Sequence, residues 1–172
     1  MTRAKLQSST HGSGSSTNRS GSSTNGAGAA RAKAWPLAAL LWLLCPLTAH
    51  ADCTLDVVGL NFGDYDPFSS QDIDITASIA VSCDVESSYE IALSTGFGSY
   101  TARLLTNGPN LLSYNLFVDP TRLTVWGDGS PGTSTVSSQS VSADLPVYGR
   151  IPAGQNAHLG SYGDSVTITI TF

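Results

Sequence analysis

His158 is the only histidine of residues 52–172, so any Ser-His-Asp or Cys-His arrangement in that part of the chain must include it. It stands in a Gly- and Ala-containing turn, no nucleophile-elbow pattern occurs in the sequence, and it reads as an exposed loop histidine. Glu86 and Glu90, the only glutamates, could make half of a glycosidase pair with an aspartate. Their places in a turn and on a short strand fit plain solubility better. Asp64, Asp66, Asp72 and Asp74 offer the carboxylates that calcium seeks. EF-hand spacing is missing, however, and Asp72 and Asp74 fall on the outward face of a strand, so these read as turn and surface acids. With Cys53, Cys83 and one histidine, a zinc site has too few soft ligands. No catalytic, metal or cofactor constellation emerges, and an enzyme is the disfavoured reading.

Two other groups could act by contact rather than by reaction. Trp126, Phe97 and Tyr100 could form an aromatic platform for a sugar or an abiotic surface. Core packing at a strand end is the stronger expectation for Trp126, whereas Phe97, between Gly96 and Gly98, is the better candidate for an exposed contact. Cys53 and Cys83 are an even pair, and in an oxidising compartment such a pair forms one disulfide. Closing a loop of about 30 residues stabilises a fold by roughly 3 to 4 kcal/mol in the chain-entropy account.

An oxidising compartment is what the first third of the chain implies. Arg31-Ala32-Lys33 precedes the apolar run Leu37 to Cys45, then Pro46 and Ala49-His50-Ala51. Basic, apolar, then small-x-small is the order of a secretory leader, placed at residues 31–51 with cleavage after Ala51. The run between Pro36 and Pro46 is too short for the roughly 20 residues of a membrane span, so no span is expected after cleavage. Cys45 does not make a lipoprotein site, because Leu44 stands where a small residue is wanted. Residues 1–30, rich in Ser, Thr, Gly, Asn and Ala, carry no periodic apolar pattern and read as a disordered extension, or as an overextended translation start.

The remainder, 52–172, suits a single domain. It carries three arginines, no lysine and all 13 acidic residues, a net charge of −10, which makes nucleic acid an improbable partner.

Every convincing segment of this domain has period two, and no stretch of ten residues shows helical spacing with caps. Strands are expected near Cys53–Phe62, at Ile73–Cys83, at Tyr89–Leu93, at Ala102–Leu105, at Leu112–Val118, at Leu145–Ile151 and at the closing Ser165–Phe172. Asp84–Ser88 reads as a polar turn, and the Ser/Thr/Gly-rich stretch after Trp126 as a loop reaching about Ser140. Cys83 shares the inward face with Ile73, Ile75 and Ile79, as Cys53 does with Leu55, which supports pairing the two thiols. Seven or so short strands fit an all-β, two-sheet sandwich of immunoglobulin-like architecture.

Several patterns, taken in order, resemble the spore coat protein U domain family, which includes the pilin subunits of archaic chaperone–usher pili. They are Cys53 with Leu60-Asn61-Phe62-Gly63-Asp64-Tyr65, Val81-Ser82-Cys83, Tyr89-Glu90-Ile91-Ala92-Leu93-Ser94, Leu111 to Phe117 and Trp126-Gly127-Asp128-Gly129. Val147-Tyr148-Gly149-Arg150-Ile151-Pro152, Gln155, Gly160 to Asp164 and the apolar tail to Phe172 complete the set. The resemblance implies an incomplete immunoglobulin-like sandwich lacking its final strand. A periplasmic chaperone fills the gap during export, an outer-membrane usher handles the subunit, and a strand from a neighbouring pilin-like or coat subunit replaces the chaperone.

The closing strand carries this expectation. Val166, Ile168, Ile170 and Phe172 alternate with Ser165, Thr167, Thr169 and Thr171, and they form the expected strand-accepting edge. The ordinary alternative is a core strand of a complete sandwich. Polymerising pilins place their donor segment ahead of the first cysteine, where this chain, once cleaved, has only Asp52. The sequence therefore predicts an exported structural subunit, in the periplasm in transit and then at the cell surface or outside it, that accepts a strand without offering one. A stand-alone carbohydrate- or surface-binding module is the alternative.

Overall fold

The computed structural model describes residues 4–6, 52–57 and 59–172; the predicted leader and most of the extension before it lie outside them. The described residues form ten strands and no helix: β1 (Ala4–Leu6), β2 (Cys53–Val57), β3 (Ile73–Leu93), β4 (Arg103–Asn107), β5 (Asn110–Phe117), β6 (Val125–Trp126), β7 (Thr133–Ser134), β8 (Val136–Ile151), β9 (Tyr162–Asp164) and β10 (Ile168–Thr171). They make one curled, mainly antiparallel sheet in the order β1-β9-β4-β5-β8-β3-β10, with β2 beside β3 and the short β6 and β7 beside β5.

Alternation along these strands builds the core. Ile79, Val81, Cys83, Ile91 and Leu93 of β3 point inward, against Leu112, Tyr114 and Leu116 of β5 and Val147 and Ile151 of β8. Each such side chain stabilises the fold by about 1.5 to 3 kcal/mol of transfer free energy before ordering costs. Gly149 of β8 leaves room for Phe62 and Ile75, since a β-carbon there would come within 2.9 Å of both. The β4–β5 hairpin turns through Gly108 and Pro109, with Asn107 opposite Asn110 and Gly108 at φ 57°, the positive φ that a type II′ turn demands of its first residue.

Seven strands were expected and ten are present; the differences have identifiable causes. β3 runs unbroken for 21 residues through the expected turn at Asp84–Ser88. The partner strand β8 supplies the ladder on both sides, pairing Ser82 with Ser142 and Ser87 with Ser140, and the irregularity is absorbed as a β-bulge. β8 likewise starts at Val136, inside the expected loop, because that Ser-rich stretch bonds to β3 from Ser87 to Ile91. β2 ends at Val57 instead of reaching Phe62. Residues 4–6, within the segment read as disordered, form a strand parallel to β9.

The closing strand is also divided. The chain leaves β9 at one end of the sheet, crosses in Ser165-Val166-Thr167, and joins the other end as β10. Four extended residue steps reach at most roughly 14 Å, so this crossing brings the two ends of the curled sheet together.

Candidate functional site

Two features converge on that crossing: the border along β10 and the loop that carries Phe97. β10 pairs antiparallel with the end of β3, Ile168 opposite Leu93, Ile170 opposite Ile91 and Thr171 opposite Glu90. On the same side of β3, β2 pairs from Cys53 opposite Cys83 to Val57 opposite Ile79. Among the described residues no strand pairs with the outer border of β10. The inward face of the closing segment opens progressively: Val166 is 6% exposed and Ile168 4%, Ile170 is half-buried, and Phe172 is 60% exposed. Phe172 and Thr171 line a shallow hollow with Ser88, Tyr89 and Ser138.

Hydrogen bonds fix the crossing to the rest of the molecule. Ser94 N–H donates to Thr167 O at 2.9 Å, and Thr167 N–H donates to Ser94 Oγ at 2.9 Å. Asp164, at the end of β9, accepts from Tyr114 Oη–H at 2.6 Å, from Phe97 N–H at 2.9 Å and from Ser165 N–H at 2.7 Å. Gly96 must remain glycine for this, since its φ is +60° and a β-carbon would lie 2.1 Å from Asp164 Oδ2. The loop is thereby held with Phe97 outward, 55% exposed.

Arg103 ties the same region together from inside. It is 0% exposed and forms no ion pair among the described residues. Its Nη2 donates to Ser94 O at 2.9 Å and Trp126 O at 2.7 Å, its Nη1 donates to Asn115 Oδ1 at 2.6 Å, and its Nε donates to Ser94 O at 3.2 Å. Its guanidinium stacks 5.4 Å from the Tyr100 ring centroid. Burial lowers its affinity for the proton. Sequence reasoning gave none of Arg103, Asp164, Tyr114 or Asn115 a structural role, although Tyr114, Asn115 and Asp164 stand in stretches that carried the family resemblance. One signal was available: Arg103 shares its strand face with Leu105, the most buried position of β4 beside it.

The expected surface aromatics separate. Trp126 takes no part in a surface platform: it is 0% exposed, and its Nε1–H donates to Ile91 O at 3.0 Å, so it is a core residue with a satisfied polar tip. Tyr100 is half-buried, its Oη–H donating to Leu93 O at 3.1 Å. Phe97 alone of the three projects.

Cys53 and Cys83 are disulfide-bonded across the β2–β3 ladder. Of the acidic residues, Asp72 and Asp74 form ion pairs. Arg150 grips Asp74 through two hydrogen bonds of 2.7 Å, with Asp72 3.4 Å away, and Arg122 Nε lies 3.2 Å from Asp74. No group of three or more His, Cys, Asp or Glu is placed to hold a metal ion among the described residues. His158 is exposed, and its carbonyl accepts from Tyr162 Oη–H at 3.0 Å.

Asp74, Asp119 and Tyr114 should make stability depend on pH at the two extremes. The Arg150 hydrogen bonds lower the Asp74 pKa, and those from Thr121 and Thr124 lower Asp119 to about 2. A depressed carboxyl contributes stability above its ordinary value near 3.8 and loses it as pH falls towards about 2. The Tyr114 phenol is shifted the other way, raised above its ordinary 10.0 by burial first and then by Asp164. Its neutral form is favoured by folding, so its contribution is complete below pH 10 and is lost above it. Denaturation midpoints are therefore expected to be flat from about pH 5 to 9 and to fall on both sides. Tyr114→Phe should remove much of the alkaline fall.

The sequence profile of the Spore Coat Protein U domain matches residues 39–169. Protein U of Myxococcus xanthus is 38% identical over 127 residues, which cover 66% of this chain and 71% of that protein. Among solved structures, the pre-assembly complex of the chaperone and the tip adhesion subunit from the archaic chaperone-usher Csu pili of Acinetobacter baumannii contains a similar chain. The TM-score is 0.52 at 20% identity, covering 72% of this chain and 40% of that one, a likeness of fold. With an all-β, immunoglobulin-like pilin fold and a profile match over most of its length, this chain belongs to the Spore Coat Protein U domain family.

Proposed function

We propose that this protein is an exported structural subunit of an extracellular polymer, a pilus or a spore or cell coat, and that it works by accepting a complementing β-strand at the seam beside β10. The observation that carries the reading is the border of β10: a strand whose inner edge is laddered to β3 and whose outer edge has no strand among the described residues, ending in a progressively exposed apolar face. Main-chain hydrogen bonds to such an edge give affinity, and alternate side chains entering the layer give register. Four or five apolar donor side chains, at about 1.5 to 3 kcal/mol each, would supply roughly 6 to 15 kcal/mol before ordering costs. The partners on this reading are a periplasmic pilus chaperone, an outer-membrane usher and other pilin-like or coat subunits. Family membership and a fold shared with a subunit crystallised beside its chaperone support it.

Copurification with a co-expressed periplasmic pilus chaperone tests it. Because Ile168 is already buried, the informative substitutions are Ile170→Asp and Phe172→Asp, on the part of the face still open. Together they should weaken capture at least tenfold, as the loss of one buried apolar side chain of about 1.5 to 3 kcal/mol requires. His158→Ala should leave it unchanged. Wild-type capture by the doubly substituted chain would remove β10 from the interface.

A second reading has one observation in its favour. Phe97 projects from a loop that Asp164 and Arg103 hold still, the form of a rigid aromatic contact to a sugar or a surface.

A further inference from the structure

Four main-chain N–H groups share two side-chain oxygens at the crossing between β9 and β10. Asp164 Oδ1 accepts from Phe97 N–H at 2.9 Å and from Ser165 N–H at 2.7 Å. Ser94 Oγ accepts from Thr167 N–H at 2.9 Å and from Gly96 N–H at 3.3 Å. Each oxygen thus takes one donor from the loop that presents Phe97 and one from the segment that leads into β10.

The arrangement is reciprocal. The carboxylate belongs to the crossing and holds the loop, whereas the hydroxyl belongs to the loop and holds the crossing. Tyr114 Oη–H occupies Oδ2 of Asp164 at 2.6 Å, so Oδ1 is the oxygen left for both N–H groups. Gly96, where a β-carbon would lie 2.1 Å from Oδ2, lets the loop lie directly against the carboxylate. The far side of the loop is fixed to β4, Leu104 N–H donating to Phe97 O at 2.7 Å. A change in Ser165-Val166-Thr167 is therefore taken up at Gly96 and Phe97. That segment continues into β10, whose outer border has no strand among the described residues.

We infer that this reciprocal clasp couples the Phe97 loop to the seam: a strand docked beside β10 sets the position of Phe97, and the exposed aromatic contact is fully ordered only in the complemented subunit. The inference rests on the strand-accepting reading, since the clasp transmits occupancy only if a strand docks there. Ordering Ser165–Thr167 lowers the cost of ordering Gly96 and Phe97 without any large rearrangement. By linkage, whatever grips Phe97 favours the docked strand by the same factor. Asp164 and Ser94 are positioning residues for both surfaces.

The test uses the full chain, exported and oxidised, with an alternating apolar donor strand fused through a flexible linker. It is compared with the same fusion in which one central apolar donor residue is replaced by aspartate. Amide exchange at Ser165 and Thr167 reports the docked strand, and exchange at Gly96 and Phe97 reports the loop. Thr124, whose N–H is held by Asp119 Oδ2 at 2.8 Å, is the control. The weakened donor should speed exchange at all four amides at least tenfold, as the loss of one buried apolar side chain requires, and leave Thr124 unchanged. In the intact fusion, Ser94→Ala should speed Gly96 and Thr167 together, because both lose one acceptor. Faster exchange at Ser165 and Thr167 with Gly96 and Phe97 unmoved overturns the inference and leaves strand acceptance standing. No change at any of the four overturns strand acceptance at this seam and the inference with it. Equal acceleration at Thr124 would make the effect one of the whole domain and overturn the coupling.

Discussion

Arg103→Leu is expected to destabilise the domain by roughly 3 to 5 kcal/mol, because Ser94 O, Trp126 O and Asn115 Oδ1 would be left short of donors at about 1 to 3 kcal/mol each. The three acceptors come from the end of β3, from β6 and from β5, so one guanidinium joins the elements that position the crossing between β9 and β10. Its planar fork suits this task and an ammonium does not, so Arg103→Lys should recover only part of the loss. Urea denaturation of the strand-complemented domain measures both. A leucine variant within 1 kcal/mol of wild type would show that Arg103 is incidental to the fold.

The second large effect is expected at the disulfide. Cys53→Ala with Cys83→Ala should cost about 3 to 4 kcal/mol, set by the separation of 30 residues that the bond closes. Cys53 opens β2 and Cys83 is the first residue of β3 within the bulge, so the bond staples the two strands where the ladder between β3 and β8 is irregular. Asp84 N–H donating to Asp52 O at 3.0 Å and Asp52 N–H donating to Asp84 Oδ1 at 3.0 Å continue that clasp. A lower denaturation midpoint with a steeper denaturant slope is the expected result, because the chain-entropy account places the effect in an unfolded chain that the bond keeps more compact; an unchanged midpoint would contradict it.

Period-two alternation made much of this fold legible. The inward face of Ile73 to Cys83, the β5 alternation and the shared face of the two cysteines are all where the pattern put them, because burying one face of a strand leaves no freedom of register. What alternation could not show are segments held by main-chain pairing alone. Asp84–Ser88 and Ser137–Ser142 have turn-like composition, yet Ser87 and Ser88 pair with Ser140 and Gln139 in one ladder that carries Asp84–Glu86 across as a bulge, and the partner's position is a tertiary fact. β1 is hidden for the same reason. The closing segment misled differently: its alternation runs unbroken from Val166 to Phe172 although the backbone changes sheet ends at Ser165–Thr167, since Val166 and Ile168 are buried on either side of the change.

The candidate site was legible in part. Ile170 and Phe172 stand at the open end of the closing face and Phe97 projects, while Trp126 belongs to the core. Arg103 escaped notice, and Asp164 stood only as part of the family pattern, because a lone charged residue in a sequence reads as surface. Only the carbonyls gathered around Arg103, and the Tyr114 and Phe97 donors around Asp164, make their burial and semi-burial tolerable.

The most direct test of strand acceptance is the behaviour of residues 52–172 produced in an oxidising compartment, alone and with an alternating apolar donor strand fused through a flexible linker. The account predicts that the domain alone aggregates or binds the hydrophobic dye ANS, and that the fused strand gives a cooperatively folding, dye-silent monomer. A stable, ANS-silent monomer without any added strand would contradict it.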